Sequence, residues 1–199
     1  MNSPEMLAAG KLVKNGNTIV EAHSTSVLIR AGGANIVADT SSKEMRPLIM
    51  TSLERIGVAP DDVSIVVLTH THHDHCGNNG LFRNAEFYVR TEECPATKGF
   101  IPVFEDIEIA PGVKLVHTPG HTKGSMSVFI QGEKKYAVAG DAIPLEDNYI
   151  RMIPPGINYD AKTAMESIKT IVEYADVIVP GHGLPFTVGK RGGRDERRS

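Results

Sequence analysis

The chain has 199 residues, of which 41% are apolar and 23% charged, and its formal net charge is −3. This is the make-up of an ordinary globular chain, with one domain over residues 1–199 as the expectation. The charge balance gives no global case for nucleic-acid or membrane-surface binding, no run approaches the roughly 20 apolar residues of a membrane span, and a chain without tryptophan lacks obvious stacking platforms for single strands.

The N-terminal stretch MNSPEMLAAGKLVKNG carries no long apolar core of a secretory signal. The two cysteines, Cys76 and Cys94, form no CxxC pair, so no disulfide framework is expected and a cytoplasmic setting fits. Residues 17–40 are β-rich, with the AGG triplet at 31–33 as a hairpin turn between apolar runs. Met45, Leu48, Ile49, Leu53 and Ile56 then recur at helical spacing, Gly57 is a stop, and Pro47 must sit in or before the first turn. SIVVLTH (64–70) is a continuous apolar strand of the kind buried on both faces. Further strands are expected in AEFYVR (85–90), VKLVHT (113–118), SMSVFIQ (125–131) and KKYAVAG (134–140). Pro144 to Tyr159 is long for a connection and reads as a functional loop. Asp160 is the expected N-cap of a helix over 160–175, and DVIVP (176–180) is a last buried strand. Lys190 to Ser199, basic, Gly-rich and without apolar residues, reads as a disordered tail. The order of elements suggests an α/β or α+β layered fold, with sheets and helices packed outside.

The stretch LTHTHHDHCG (68–77) packs four histidines and an aspartate into ten positions. Alternate residues of an extended chain share a face, so His70 and His72 can aim at one spot while Thr71 points away. Asp74 and His75 follow where the chain should turn into a helix start, and can aim at a second spot; His73 faces outward. Imidazole nitrogens with a carboxylate suit zinc, iron or manganese better than calcium or magnesium. Three more residues of metal-binding type stand in turns at strand ends: His121 in TPGHTKGS, Asp141 in AGDA and His182 in PGHG. Alone, each has the ordinary reading of a solvated or capping loop residue; together with the first cluster they do not.

The set of His70, His72, Asp74, His75, His121, Asp141 and His182 resembles the metallo-β-lactamase superfamily, over about residues 17–188. The segment ADTSS near Asp39 is similar to its early DTG turn, with serine in place of glycine. THTHHDHCGNNGLF and VPGHGLPF are most similar to the small metallo-β-lactamase-domain-containing proteins. The resemblance implies a four-layer αβ/βα sandwich and two metal sites. His70, His72 and His121 would hold the first ion, Asp74, His75 and His182 the second, and Asp141 would bridge them. His23 and His117 are left to structure.

Two divalent cations about 3.5–4 Å apart can share a water and bring its pKa from about 15.7 towards 7. The expected activity is therefore a dinuclear hydrolase, two zinc ions first and manganese or iron as alternatives, whose metal-bridging hydroxide attacks an ester, thioester, lactone, amide or phosphodiester, with Asp74 and Asp141 as the catalytic carboxylates. A small-molecule substrate is expected; the charge balance gives nucleic acid little support. Two alternatives stay open: a mononuclear iron oxidoreductase of the persulfide dioxygenase kind, which can retain the second-site residues, and a metal-dependent ribonuclease. Lys123, Tyr149, Arg151 and Tyr159 are candidates for substrate contact without an assigned role, Thr69 and Ser125 for bonds to a ligand. The apolar residues of the 144–159 loop are open between a lid and a homo-oligomer interface.

Overall fold

The computed structural model describes residues 2–16, 18–93 and 99–189. The expected tail at 190–199 and Cys94 lie outside them. In chain order the elements are β1 (Pro4–Ala8), β2 (Lys11–Asn15), β3 (Thr18–His23), β4 (Ser26–Ala31), β5 (Ala34–Ala38), α1 (Arg46–Arg55), β6 (Ile65–Val67), α2 (His73–Cys76), β7 (Glu86–Arg90), β8 (Phe100–Val103), β9 (Ile107–Ala110), β10 (Val113–His117), β11 (Met126–Gln131), β12 (Lys135–Gly140), α3 (Glu146–Arg151), α4 (Ala161–Tyr174), β13 (Val177–Pro180) and β14 (Phe186–Thr187). One sheet has the order β1-β4-β5-β6-β7-β8 and the other β14-β13-β12-β11-β10-β9; β2 and β3 pair only with each other.

Strand alternation divides the apolar residues into three cores. Val27 and Ile29 of β4, Ile36 of β5, Val67 of β6, Leu115 of β10, Val128 and Ile130 of β11 and Val179 of β13 fill the space between the sheets. Their neighbours one position along point outward: Leu28, Val37 and Val66 pack under Ile49 and Leu53 of α1. On the other side Phe129, Ala137 and Ile178 pack under Ile168 and Ile171 of α4. Strands buried on both faces are apolar throughout, as the uninterrupted runs in the sequence require. The result is the expected four-layer αβ/βα sandwich.

Both long helices begin and end for local reasons. Asp160 caps α4 by accepting from the Lys162 N–H at 3.1 Å, and the chain leaves the helix when Ala175 turns extended at φ −87°, ψ 141°. Pro47 falls within the first turn of α1, where its missing N–H costs no helical bond. Five strands went unread in the sequence: β1, β2, β8, β9 and β14. Each is short, and β8 carries Pro102, which a sheet tolerates because β8 is an edge strand. The 144–159 segment, expected as a loop, also contains the six-residue α3, whose start is braced by the Leu145 N–H donating to Asn148 Oδ1 at 3.3 Å.

Among the described residues no helix is long and apolar enough to cross a membrane. The largest wholly buried side chain beneath α1 is Phe82. Phe82→Ala should therefore cost about 3–5 kcal/mol of folding stability, read as a lowered urea midpoint with an unchanged slope.

Candidate metal centre

The site lies where strands of both sheets run out. β5 and β6 are parallel neighbours in one sheet, and β12 and β13 in the other. β6 stops because the Thr69 N–H leaves the ladder for Asp39 Oδ1 at 2.8 Å. Beyond it His70 and His72 lie in extended chain, and one turn of α2 then swings Asp74 and His75 round to the same side. Asp141 follows β12, His182 follows β13, and His121 stands in the turn between β10 and β11. The Met126 N–H donates to the Thr69 carbonyl at 2.9 Å, joining the two sheets at this rim.

The structure brings all seven candidate residues together. His121 Nε2 lies 3.2 Å from His70 Nε2 and 3.0 Å from His72 Nδ1. Nitrogens around a tetrahedral zinc at about 2.0–2.1 Å are about 3.3 Å apart, so these spacings fit one cation. Asp74, His75 and His182 form a second group, with Asp74 Oδ2 3.6 Å from His182 Nε2 and 3.9 Å from His75 Nε2. Asp141 faces both groups: Oδ1 lies 3.3 Å from His182 Nε2 and 3.4 Å from His75 Nε2, while Oδ2 lies 3.6 Å from His121 Nε2.

Acceptors behind the rings decide which nitrogen faces inward. His121 Nδ1 donates to the Ile157 carbonyl at 2.7 Å, His182 Nδ1 to the His23 carbonyl at 2.8 Å, and His75 Nδ1 to Asp39 Oδ2 at 2.7 Å. Each bond commits Nδ1–H, so each neutral ring turns a lone pair from Nε2 to the centre. His75 Nε2 and Asp141 Oδ1 are buried there without a hydrogen-bond partner. An unpartnered buried polar atom costs about 1–3 kcal/mol, and a divalent cation satisfies several at once. The donor set therefore fits metal ions.

Charge follows position. Burial, reinforced by the neighbouring imidazoles, pushes the pKa of His70 well below and that of His72 below the usual imidazole value. Burial also opposes charging His75, but the Asp39 and Asp141 carboxylates outweigh it and hold its pKa well above that value. For His182 burial is outweighed by the Asp141 carboxylate 3.3 Å away, and its pKa rises. Burial works against the Asp141 anion too, yet His75 and His182 hold its pKa well below the carboxylate range.

The resemblance at ADTSS has a physical counterpart. Asp39 and Ser41 both adopt left-handed backbone, at φ 54° and 56°. Such residues cost of order 1–3 kcal/mol each and persist where surrounding bonds fix them. Here the Asp39 carboxylate holds Thr69 N, Thr69 Oγ1 and His75 Nδ1, and Asn78 Nδ2 donates to the Thr40 and Ser42 carbonyls. Two glycines are sterically required. A Cβ on Gly120 would meet Ala164 Cα of α4 at 2.3 Å, and one on Gly181 would meet Asp141 Oδ1 at 2.0 Å.

Other candidates fall away from the centre or behind it. His73 is exposed, as expected. His117 Nε2 donates to the Lys123 carbonyl, and the exposed Lys123 side chain is not part of the cavity wall. Arg151 pairs with Asp147 on the surface, and Tyr149 stacks on Phe186 while its hydroxyl accepts the Gly189 N–H. Tyr159 is half exposed, and its N–H braces the Gly120 carbonyl. Ser125 Oγ serves its own turn by accepting from Thr122 N. Cys76 is free and reaches the His72 carbonyl. Sequence reasoning missed Glu93, which accepts from the Thr71 N–H and hydroxyl through Oε2 and from the Gly124 N–H through Oε1, tying the His70–His72 segment to the turn after His121. No pattern in the sequence signals that clamp. It also missed the β2–β3 hairpin as a wall of the cavity.

That cavity, of about 100 Å³, is lined by His72, Asp74, His121, Asp141 and His182 on its floor, by the β2–β3 hairpin on one side and by Pro155, Gly156 and Ile157 on another. A larger hollow of about 490 Å³ between Lys135, Lys169, Glu173 and Val188 holds no cluster of metal-ligating side chains.

The profile of the metallo-β-lactamase superfamily matches residues 20–93. A probable metallo-hydrolase of Methanocaldococcus jannaschii is 39% identical over 180 residues, spanning 89% of this chain and 85% of its own. Metallo-beta-lactamase domain-containing protein 1 of Xenopus laevis is 32% identical over 204 residues, spanning 96% of this chain and 84% of its own. The crystal structure of a quorum-quenching N-acyl homoserine lactone lactonase superposes with a TM-score of 0.71 at 25% identity, covering 89% of this chain and 90% of that one. With this four-layer fold, these donors and these relatives, the chain belongs to the metallo-β-lactamase superfamily of hydrolases.

Proposed function

We propose that the protein is a dinuclear metal-dependent hydrolase that opens a small carbonyl ester, lactones and thioesters included. The observation that carries this reading is Asp141, whose two oxygens face two separate donor groups. His70, His72 and His121 would hold one ion, Asp74, His75 and His182 the other, and Asp141 both. The imidazole-rich donor set favours zinc. When bound, such a pair of cations lowers the pKa of a shared water and polarises the scissile oxygen.

The chain's own residues supply the rest. Ile157 O, His23 O and Asp39 fix the rings before substrate arrives, so no reorganisation is needed at the centre. Asp74 lines the cavity as well as the second donor group, which places a carboxylate oxygen where it can take up a proton. Hydrolysis adds the oxygen of water to the acyl carbon, breaks the acyl–oxygen or acyl–sulfur bond, and returns a proton to the leaving group. The cavity is small, about 100 Å³, and one structural neighbour is a lactonase. These features support a small-molecule substrate.

Four outcomes are expected. Protein purified without added metal should contain two zinc or manganese ions per chain by elemental analysis and hydrolyse members of a panel of lactones, thioesters, aryl esters and a phosphodiester. Asp141→Asn should lower both metal content and turnover. One iron per chain with oxygen uptake on a thiol persulfide would overturn the assignment, and a salt-dependent affinity for RNA would move it to a nuclease. The neighbouring carboxylates raise the pKa values of His75 and His182 in the metal-free chain, so protons compete with a metal ion for their Nε2 positions. Metal uptake should therefore release protons and tighten as pH rises, measurable by calorimetry in buffers of different ionisation enthalpy. Asp39→Asn, which keeps the shape but removes the charge behind His75, should weaken metal affinity by about 10–100-fold in a chelator competition.

A further inference from the structure

The β2–β3 hairpin pairs with neither sheet and presents one face to the cavity. Leu12 stands opposite Ala22, Lys14 opposite Ile19, and all four line the cavity. This arrangement depends on a bulge. The register steps from Val13↔Glu21 to Lys14↔Ile19, which leaves Val20 as the extra residue. Regular alternation from Ala22 would have put Val20 on the inner face; the bulge puts Ile19 there instead, beside Lys14. Bulges re-aim side chains in this way next to active sites.

Among the described residues, Lys14 is the one cationic side chain other than histidine in the cavity wall. Its Nζ reaches across the mouth to Gly156, where an added Cβ would lie 3.5 Å away. The lysine ion pairs among the described residues are made by Lys11, Lys114 and Lys169 instead. The two carboxylates in the same wall, Asp74 and Asp141, are turned to the imidazoles. The same lining includes the apolar side chains of Leu12, Ile19 and Ile157.

We propose that Lys14 is a specificity-determining residue that selects substrates carrying an anionic group, a carboxylate or a phosphate, joined by a short apolar spacer to the bond that is cleaved. This rests on the hydrolase reading above. The scissile carbonyl sits over the histidine floor, the spacer lies along Leu12 and Ile19, and the anion meets the Lys14 ammonium at the mouth. An ammonium acts there as a point charge on a flexible stem, which suits an anion of variable geometry.

The test compares 4-nitrophenyl hydrogen glutarate with 4-nitrophenyl valerate, which share the leaving group and chain length and differ in a terminal carboxylate. The wild type should favour the anionic ester in kcat/KM, and Lys14→Met should reduce that anionic-to-neutral ratio by roughly fivefold, the range of an exposed ion pair. Lys14→Glu should reduce it further and Lys14→Arg should retain it. A ratio that Lys14→Met leaves unchanged overturns the inference. Calorimetric dissociation constants for glutarate and valerate on the metal-loaded protein supply a reading free of turnover. If neither ester is cleaved but the preference for glutarate falls roughly fivefold in Lys14→Met, the hydrolase reading fails and the role of Lys14 stands. If the esters are cleaved and neither ratio moves, the hydrolase reading stands and Lys14 has no such role.

Discussion

The centre of this protein is an electrostatic conflict built deliberately into the fold. Inward-facing nitrogens of His70, His72 and His121, of which His70 and His121 are buried and His72 is exposed, lie 3.0–3.2 Å apart with a carboxylate among them. Such an arrangement of converging acceptors is unfavourable unless positive charge is shared between the groups. The protein keeps it in place by spending hydrogen bonds behind the rings. Asp39, the Ile157 carbonyl and the His23 carbonyl each commit the outer nitrogen and so prevent the ring from turning its lone pair away.

Much of the surrounding structure follows from holding those acceptors still. The left-handed residues Asp39 and Ser41 are tolerated because the bonds of Asp39 and Asn78 lock the turn. Gly120 lets α4 press on the His121 turn, and Ser167 of α4 donates to the Pro119 carbonyl at 2.7 Å to keep it there. The sandwich cores give rigidity, and the rim where the parallel strands end gives the opening. The candidate donor groups are confined to that rim.

What could be read from the sequence divides along the same line. Long apolar runs and the Asp160 helix were legible because burial on both faces and a capped periodic face leave strong local patterns. The candidate donors were legible because four histidines and an aspartate crowd into ten positions at 68–77, and the single residues at later strand ends gain meaning only beside that cluster. Their convergence was not written in any local spacing; for His121, Asp141 and His182 it came from resemblance. Support residues were the least legible. Glu93 acts through two turns far apart in the chain, and the acceptors for His121 and His182 are backbone carbonyls, which any residue type supplies. The hairpin was missed because KLVKN is short, polar at both ends and leans on no sheet. Lys123 drew attention by lying two residues from His121, but distance along the chain is a poor guide in a turn, and Lys14 occupies the cavity instead.

Each donor group draws on both halves of the chain. His70 and His72 come from the half that forms one sheet and His121 from the half that forms the other; Asp74 and His75 likewise meet His182. A cation held by either group would therefore act as a rivet across the seam between two sheets. Its affinity and the cohesion of the seam are a single thermodynamic quantity, since whatever binds the assembled form alone stabilises that form by mass action. With metal held there as proposed, its supply would set how long the folded molecule survives as well as how fast it works.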